Sequence, residues 1–96
     1  MKTREQWAAE LPAVFGNRPV RWAPPELTFG DYEGRTRTLE VFNADAREQL
    51  GLLKALRPFR TELEGDVGGT VIVIFHTRKE SQRLYSDFIK HHPAAR

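Results

Sequence analysis

The sequence predicts an α+β fold: a single domain over residues 1–96, with helices and strands in the order α-β-β-α-β-β-α. Apolar residues recur at helical spacing in three segments of the chain. Between these segments lie four short runs that are either alternating or almost continuously apolar, as strands are. With 96 residues, 40% of them hydrophobic and 29% charged, the chain suits one compact core.

A helix over residues 4–15 is the first predicted element. A Thr-x-x-Gln capping-box pattern precedes it. Trp7, Leu11 and Phe15 recur four residues apart, which places them on one face. Pro12 lies inside this pattern. Because proline removes a helical hydrogen bond and clashes with the preceding turn, we expect either a kink or two short turns there.

Extended backbone is expected next. Residues 18–25 contain three prolines and predict a connector that cannot be helical. The alternating runs at residues 27–32 and 36–42 predict two strands. Glu33-Gly34 lies between them and predicts a hairpin turn, because glycine adopts positive φ without strain.

A second helix is predicted to begin near residue 46. Its apolar stripe follows helical spacing and comprises Ala46, Leu50, Leu53 and Leu56. We expect this helix to end before Pro58, because a proline excludes the preceding residue from helical backbone.

The last third of the chain predicts two more strands and a closing helix. Residues 59–63 alternate and predict a short strand, and the glycine-rich residues 65–69 predict a turn. Residues 70–76 are β-branched and almost continuously apolar, which is typical of a central strand. A helix over residues 78–91 follows a second capping-box pattern, and residues 93–96 are expected to fray.

Two hairpins would form a four-stranded, mainly antiparallel sheet with the helices packed largely on one face. The tripeptides at 41–43 (Val-Phe-Asn) and 74–76 (Ile-Phe-His) both precede predicted helices and lie 33 residues apart. A duplicated ββα unit and the chance recurrence of a common motif both explain this similarity.

The composition excludes several classes of function. The chain has no cysteine, so disulfides, thiol catalysis and thiolate metal sites are excluded. No apolar run approaches the roughly 20 residues that cross a bilayer, and the first residues do not resemble a secretion signal. We therefore expect a cytoplasmic protein without a membrane partner. The formal net charge of +2 is too small for a dedicated nucleic-acid binder.

The motifs point to no cofactor, metal or catalytic constellation. The glycine-rich residues 65–69 lead into a predicted strand, whereas a phosphate loop leads into a helix. His91 and His92 are adjacent and would point in different directions on a helix, so they do not predict a metal site. His76 follows the predicted central strand. It is either a histidine bonded at the sheet edge or the centre of a small active site.

Five residues are candidate contacts to a partner. Arg78, Lys79, Arg83 and Lys90 give the closing helix a basic face, which suits a phosphate backbone or another charged partner, or is simply a solvated surface. Trp22 lies among prolines. It either clamps the connector to the core or anchors a partner.

These observations favour a non-enzymatic binding or regulatory module that contacts a protein partner. A homodimer that covers an open sheet face is expected as well. Nucleic-acid binding through the basic face of the closing helix is the alternative. A small enzyme centred on His76 is the second alternative.

Overall fold

The structure, a computed structural model, describes residues 1–28, 34–86 and 90. Within these residues the chain forms three α-helices, three strands and one 3-10 turn. In chain order they are α1 (Arg4–Val14), β1 (Val20–Trp22), the 3-10 turn (Pro25–Leu27), β2 (Thr36–Val41), α2 (Ala46–Val67), β3 (Thr70–Phe75) and α3 (Arg78–Arg83). The predicted α+β class and single domain are confirmed.

The sheet is mixed, with β2 between the other two strands. β1 runs antiparallel to β2, with Val20 opposite Val41. β3 runs parallel to β2, with Thr36 opposite Thr70. The parallel pair follows from α2, because a crossover helix returns the chain to the same end of the sheet, whereas a hairpin reverses it. The prediction of four strands in a mainly antiparallel sheet is therefore wrong.

The error originates in α2, which continues through Pro58 to Val67. Residues 59–63, predicted as a strand, are helical. Pro58 itself is exposed, so its ring lies on the solvent side of the helix. Beyond it, Leu63 and Val67 are buried. Burying two such side chains stabilises the helix by about 1.5–3 kcal/mol each, which offsets the roughly 3 kcal/mol that proline costs inside a helix.

α1 is likewise one helix that contains its proline, Pro12. Both predicted capping boxes are present: Thr3 caps α1 with Gln6, and Thr77 caps α3 with Glu80. These local signals involve residues only three apart, so no distant contact is needed to form them.

α1 and α2 contribute to one hydrophobic core on the same face of the sheet. Leu39 and Val41 of β2 point towards this core. The buried apolar residues of the cluster are Trp7, Leu11, Phe15, Val20, Leu39, Val41, Ala44, Leu56, Leu63, Val67 and Val71.

The predicted connector at residues 18–25 contains β1, so it is extended as expected and also pairs with the sheet. The first strand predicted for residues 27–32, with the turn at Glu33, lies largely outside the described residues; Leu27 belongs to the 3-10 turn. The end of the closing helix and the tail at 93–96 also lie outside them.

Two glycines make the tight junction between α2 and β3. Gly68 ends α2 with a φ of +75°, in the left-handed region that glycine adopts without strain. A Cβ on Gly69 would lie 1.9 Å from the carbonyl oxygen of Arg35. Residues 65–67 thus belong to the end of α2, and the turn predicted for residues 65–69 is confined to Gly68 and Gly69.

Two side chains of α2 bond the backbone of β3 at its start. The carboxylate of Glu64 accepts a hydrogen bond from the Val71 N–H at 2.7 Å. The guanidinium of Arg60 donates to the Val71 carbonyl oxygen and lies 3.7 Å from the Glu64 carboxylate. The Arg60–Glu64 pair therefore occupies both backbone groups of one residue of β3. Within the described ranges, no helix combines the length and apolar character needed to cross a membrane.

Candidate functional site

A buried cluster of charged side chains crosses the sheet on the face opposite the core. Arg21 of β1 lies directly across from Glu40 of β2. The two residues are only 8% and 5% exposed, respectively. The Arg21 Nε donates to Glu40 Oε2 at 2.6 Å. His76, immediately after β3, places its Nε2 2.9 Å from Glu40 Oε1. The Glu40 carboxylate, on the middle strand, thus joins a side chain of β1 to a side chain at the end of β3.

Phe42 completes this cluster. Its ring is fully buried and stacks on the His76 ring, with the centroids 5.0 Å apart and the planes inclined by 23°. The Arg21 guanidinium lies 5.4 Å from the centroid of the same Phe42 ring. The aromatic face therefore contacts both partners of Glu40 and restricts their movement.

The electrostatics of the cluster keep Glu40 ionised. Burial acts to raise the pKa of the Glu40 carboxyl, but the hydrogen bonds from His76 and Arg21 and their charges outweigh burial. The pKa is lowered from 4.5 to about 2. A carboxylate with such a pKa is a poor proton acceptor at neutral pH. Glu40 is consequently suited to holding Arg21 and His76 in place.

His76 therefore has a partner that the sequence did not predict. An imidazole held by a carboxylate is also the arrangement of catalytic dyads. The two hydroxyls nearest in sequence are committed elsewhere, since Thr77 Oγ1 accepts from the Glu80 N–H and Ser81 Oγ accepts from the Asn43 N–H. Both hydroxyls stabilise backbone, which favours a structural role for this region of the chain.

A second polar network joins the N-terminal ends of α2 and α3. The Nε of Arg78 donates to Asp45 Oδ2 at 3.0 Å, and its backbone N–H donates to Asp45 Oδ1 at 3.2 Å. The backbone hydrogen bond from Arg78 is the largest cause of the lowered pKa of Asp45. Glu48 lies 3.7 Å from Arg78 and also pairs with Arg18. Arg78, a candidate partner contact, is thus already engaged within the domain, although its side chain is 60% exposed.

The other candidate contacts lie on α3, beyond it and on β1. Lys79 and Arg83 are exposed on α3, and Lys90 is exposed beyond it. Trp22 is half-buried at the end of β1 and donates its Nε1–H to the Arg4 carbonyl oxygen at 2.8 Å. Trp22 also packs against the core. These contacts favour the clamp interpretation of Trp22. Within the described part of the chain, no contact links it to the basic residues of α3.

The sequence missed an exposed surface on α2. Leu50 and Leu53, which were predicted to be buried, are 64% and 38% exposed. The buried stripe is rotated around the helix and comprises Leu56, Leu63 and Val67. We call the exposed strip the α2 outer surface; it comprises Arg47, Leu50, Leu53, Lys54 and Arg57.

Cations surround the two leucines of the α2 outer surface. Arg47, Lys54 and Arg57 are exposed. Among the described residues, none of the three forms a salt bridge, although Arg47 contributes to the lowered pKa of Asp45. Most carboxylates of the described residues have a partner within the domain. Those in hydrogen bonds or salt bridges with other described residues are Glu10, Glu40, Asp45, Glu48, Glu64, Asp66 and Glu80.

No three histidine, aspartate or glutamate side chains converge as metal ligands would, among residues 1–28, 34–86 and 90. His91 and His92 lie outside these residues. No family model, curated protein or solved structure matches the chain.

Proposed function

We propose that the domain is a non-enzymatic binding module that contacts an acidic surface of a partner protein through the α2 outer surface. The observation that carries this proposal is the exposure of Leu50 and Leu53 at the centre of a strip rimmed by three cations. An apolar centre within a polar rim is the usual composition of a protein interface.

The apolar part supports a protein partner. Leu50 is 64% exposed and Leu53 is 38% exposed, and they are separated by three residues, so they lie on adjacent turns of one helix face. Covering them with apolar groups of a partner would contribute about 25 cal/mol for each Å² removed from water. A phosphate backbone offers no such apolar groups, so the leucines favour a protein over a nucleic acid.

The charged part supports an acidic partner. Arg47, Lys54 and Arg57 form no salt bridge with any residue that the structure describes, so their charges can pair with a partner. Lys79 and Arg83 add positive charge on α3. A surface of one sign accelerates encounter with a surface of the opposite sign and disfavours partners of like charge.

Site-specific photo-crosslinking in the cells that produce the chain tests this proposal. A photoreactive amino acid replaces Leu53, and a matched control places it at Glu5, which is exposed on α1. We expect the variant at Leu53 to capture a protein of acidic surface that the variant at Glu5 does not capture. Capture of nucleic acid alone, of a second copy of the chain alone, or of the same proteins at both positions would overturn the proposal.

Calorimetry with the captured protein then measures separately how the leucines and the cations of the α2 outer surface contribute to binding. We expect Leu50→Asn to weaken binding at every salt concentration, because it removes apolar contact without adding a charge. Lys54→Glu should weaken binding most at low salt, because exposed charges are screened within about 10 Å at 0.1 M ionic strength. An affinity that does not change with salt would contradict the assignment of an acidic partner.

A further inference from the structure

A cleft opens beside the first residues of β2, which extend past the end of β1 and are not paired with it. β1 ends at Trp22, which lies opposite Leu39, whereas β2 begins three residues earlier, at Thr36. The space has a volume of about 340 Å³. This volume lies at the lower end of the range for small-molecule sites, roughly 300–1,000 Å³. The cleft therefore suits a small molecule and is distinct from the flat α2 outer surface.

The cleft contains two arginines from distant parts of the chain, Arg4 of α1 and Arg37 of β2. Among the described residues, Arg37 forms hydrogen bonds through its Nη1 alone, which donates to the carbonyl oxygens of Gly34 and Thr36. The guanidinium of Arg4 has no partner among the residues that the structure describes, and the Nε and Nη2 of Arg37 have none there either. Two cations with unused donors therefore share one cavity, with no described carboxylate paired to either.

The remaining walls supply an aromatic ring and hydroxyl groups. The indole N–H of Trp22 is committed to the Arg4 carbonyl oxygen at 2.8 Å, so the ring contributes apolar surface to the cleft. This bond also fixes the first turn of α1 beside the end of β1. Thr28 and Thr38 line the cleft and are joined through their hydroxyls at 3.1 Å.

We propose that this cleft binds a small organic oxyanion, a carboxylate or phosphate carried on a flat ring. Guanidinium groups bind the planar oxygens of carboxylates and phosphates through paired hydrogen bonds, more strongly than neutral donors do. The flat ring would pack against Trp22, as aromatic groups do in offset or edge-to-face contact. This site is independent of the proposed protein interface, because it shares no residue with the α2 outer surface.

Fluorescence and calorimetric titrations test the proposal. The chain has two tryptophans, so a Trp7→Phe variant leaves Trp22 as the reporter. The probes are phenyl phosphate, benzoate and inorganic phosphate. We expect saturable binding of at least one ring-bearing probe with a change in Trp22 fluorescence, and weaker binding of inorganic phosphate. Comparison of phenyl phosphate with benzoate shows which oxyanion the site prefers. The absence of saturable binding for both would overturn the proposal.

Variants of the two arginines test the location of the site. Arg4→Gln and Arg37→Gln should each weaken binding about tenfold or more, because each removes charged hydrogen bonds. Arg37→Lys, which retains the charge, should weaken it less. Lys2→Gln removes a cation that pairs with Glu10 outside the cleft, and it should leave binding unchanged. Equal affinities in Lys2→Gln and in both arginine variants, with unchanged circular dichroism, would show that the anion binds elsewhere.

Discussion

The two faces of the sheet are both buried around β2, but different interactions bury them. On one face Leu39 and Val41 contact the apolar side chains of α1 and α2. On the other, Glu40 is held between Arg21 and His76 above the ring of Phe42. Apolar burial has no preferred direction, whereas a buried charge depends on each of its partners. The comparison indicates that the apolar face tolerates conservative substitution and the charged face does not.

The largest expected effect is that of Glu40→Gln, which keeps the shape of the side chain and removes its charge. Breaking a buried ion pair costs about 3–5 kcal/mol, because the remaining charge loses its compensation. Leu39→Met, a conservative change on the opposite face, should cost less than about 1.5 kcal/mol. Urea unfolding of both variants at pH 7 gives the two values. If Glu40→Gln cost no more than Leu39→Met, the contrast between the faces would be refuted.

Acid should destabilise the charged face selectively. The pKa of Glu40 is about 2 in the folded chain against an ordinary value of 4.5, so the unfolded chain binds the proton more readily. The stability from this group is complete above about pH 5 and is lost as the pH falls towards 2, a change of roughly 3 kcal/mol. Urea unfolding of the wild type from pH 7 to pH 2.5 measures this loss. Glu40→Gln is the control, and its stability should fall less over the same range.

Loss of the His76 side chain should have a smaller effect than loss of the carboxylate that it contacts. His76→Ala removes a hydrogen bond to a charged group, which corresponds to about 1.5–3 kcal/mol, and the stacking on Phe42. His76→Gln keeps a donor and should recover part of this loss. Thermal unfolding at pH 7 compares the two variants. Equal destabilisation by Ala and Gln would show that the hydrogen bond to Glu40 contributes little.

The smallest effect is expected at Ile72, which lies on the charged side of the sheet but away from Glu40. Ile72 is 39% exposed, so Ile72→Thr should change stability by less than about 0.5 kcal/mol. The expected homodimer through the open part of this face stays a prediction. Sedimentation of the wild type and of Ile72→Thr at several concentrations examines it. A monomeric wild type would exclude self-association, and a dimer that Ile72→Thr does not weaken would exclude this face.

The sequence predicted the elements whose signals are local. The stripe of Trp7, Leu11 and Phe15, the two capping boxes and the β-branched run of β3 all depend on residues within a few positions of each other. Pro58 misled the prediction because its local cost is real, about 3 kcal/mol. The compensation comes from Leu63 and Val67 in the core. Over the short window of residues 59–63, apolar and polar residues alternate as in a strand, and only the length of α2 reveals the helix.

The charged cluster could not be predicted for a related reason. Arg21 and His76 are 19 and 36 residues from Glu40, and the register that joins them depends on the parallel pairing of β2 and β3. That pairing requires α2 to be a crossover, which the sequence did not indicate. The exposure of Leu50 and Leu53 was missed for the same cause, because an eleven-residue helix and one twice that length bury different stripes.

The Arg60–Glu64 pair has a consequence for the behaviour of the protein at high concentration. β3 lies at one edge of the described sheet, and edge strands can recruit strands of other molecules into aggregates. By occupying the N–H and the carbonyl oxygen of Val71, these two side chains remove one template position from that edge. The part of α2 beyond Pro58, which resembles a strand in sequence, thus protects the sheet from the addition of foreign strands.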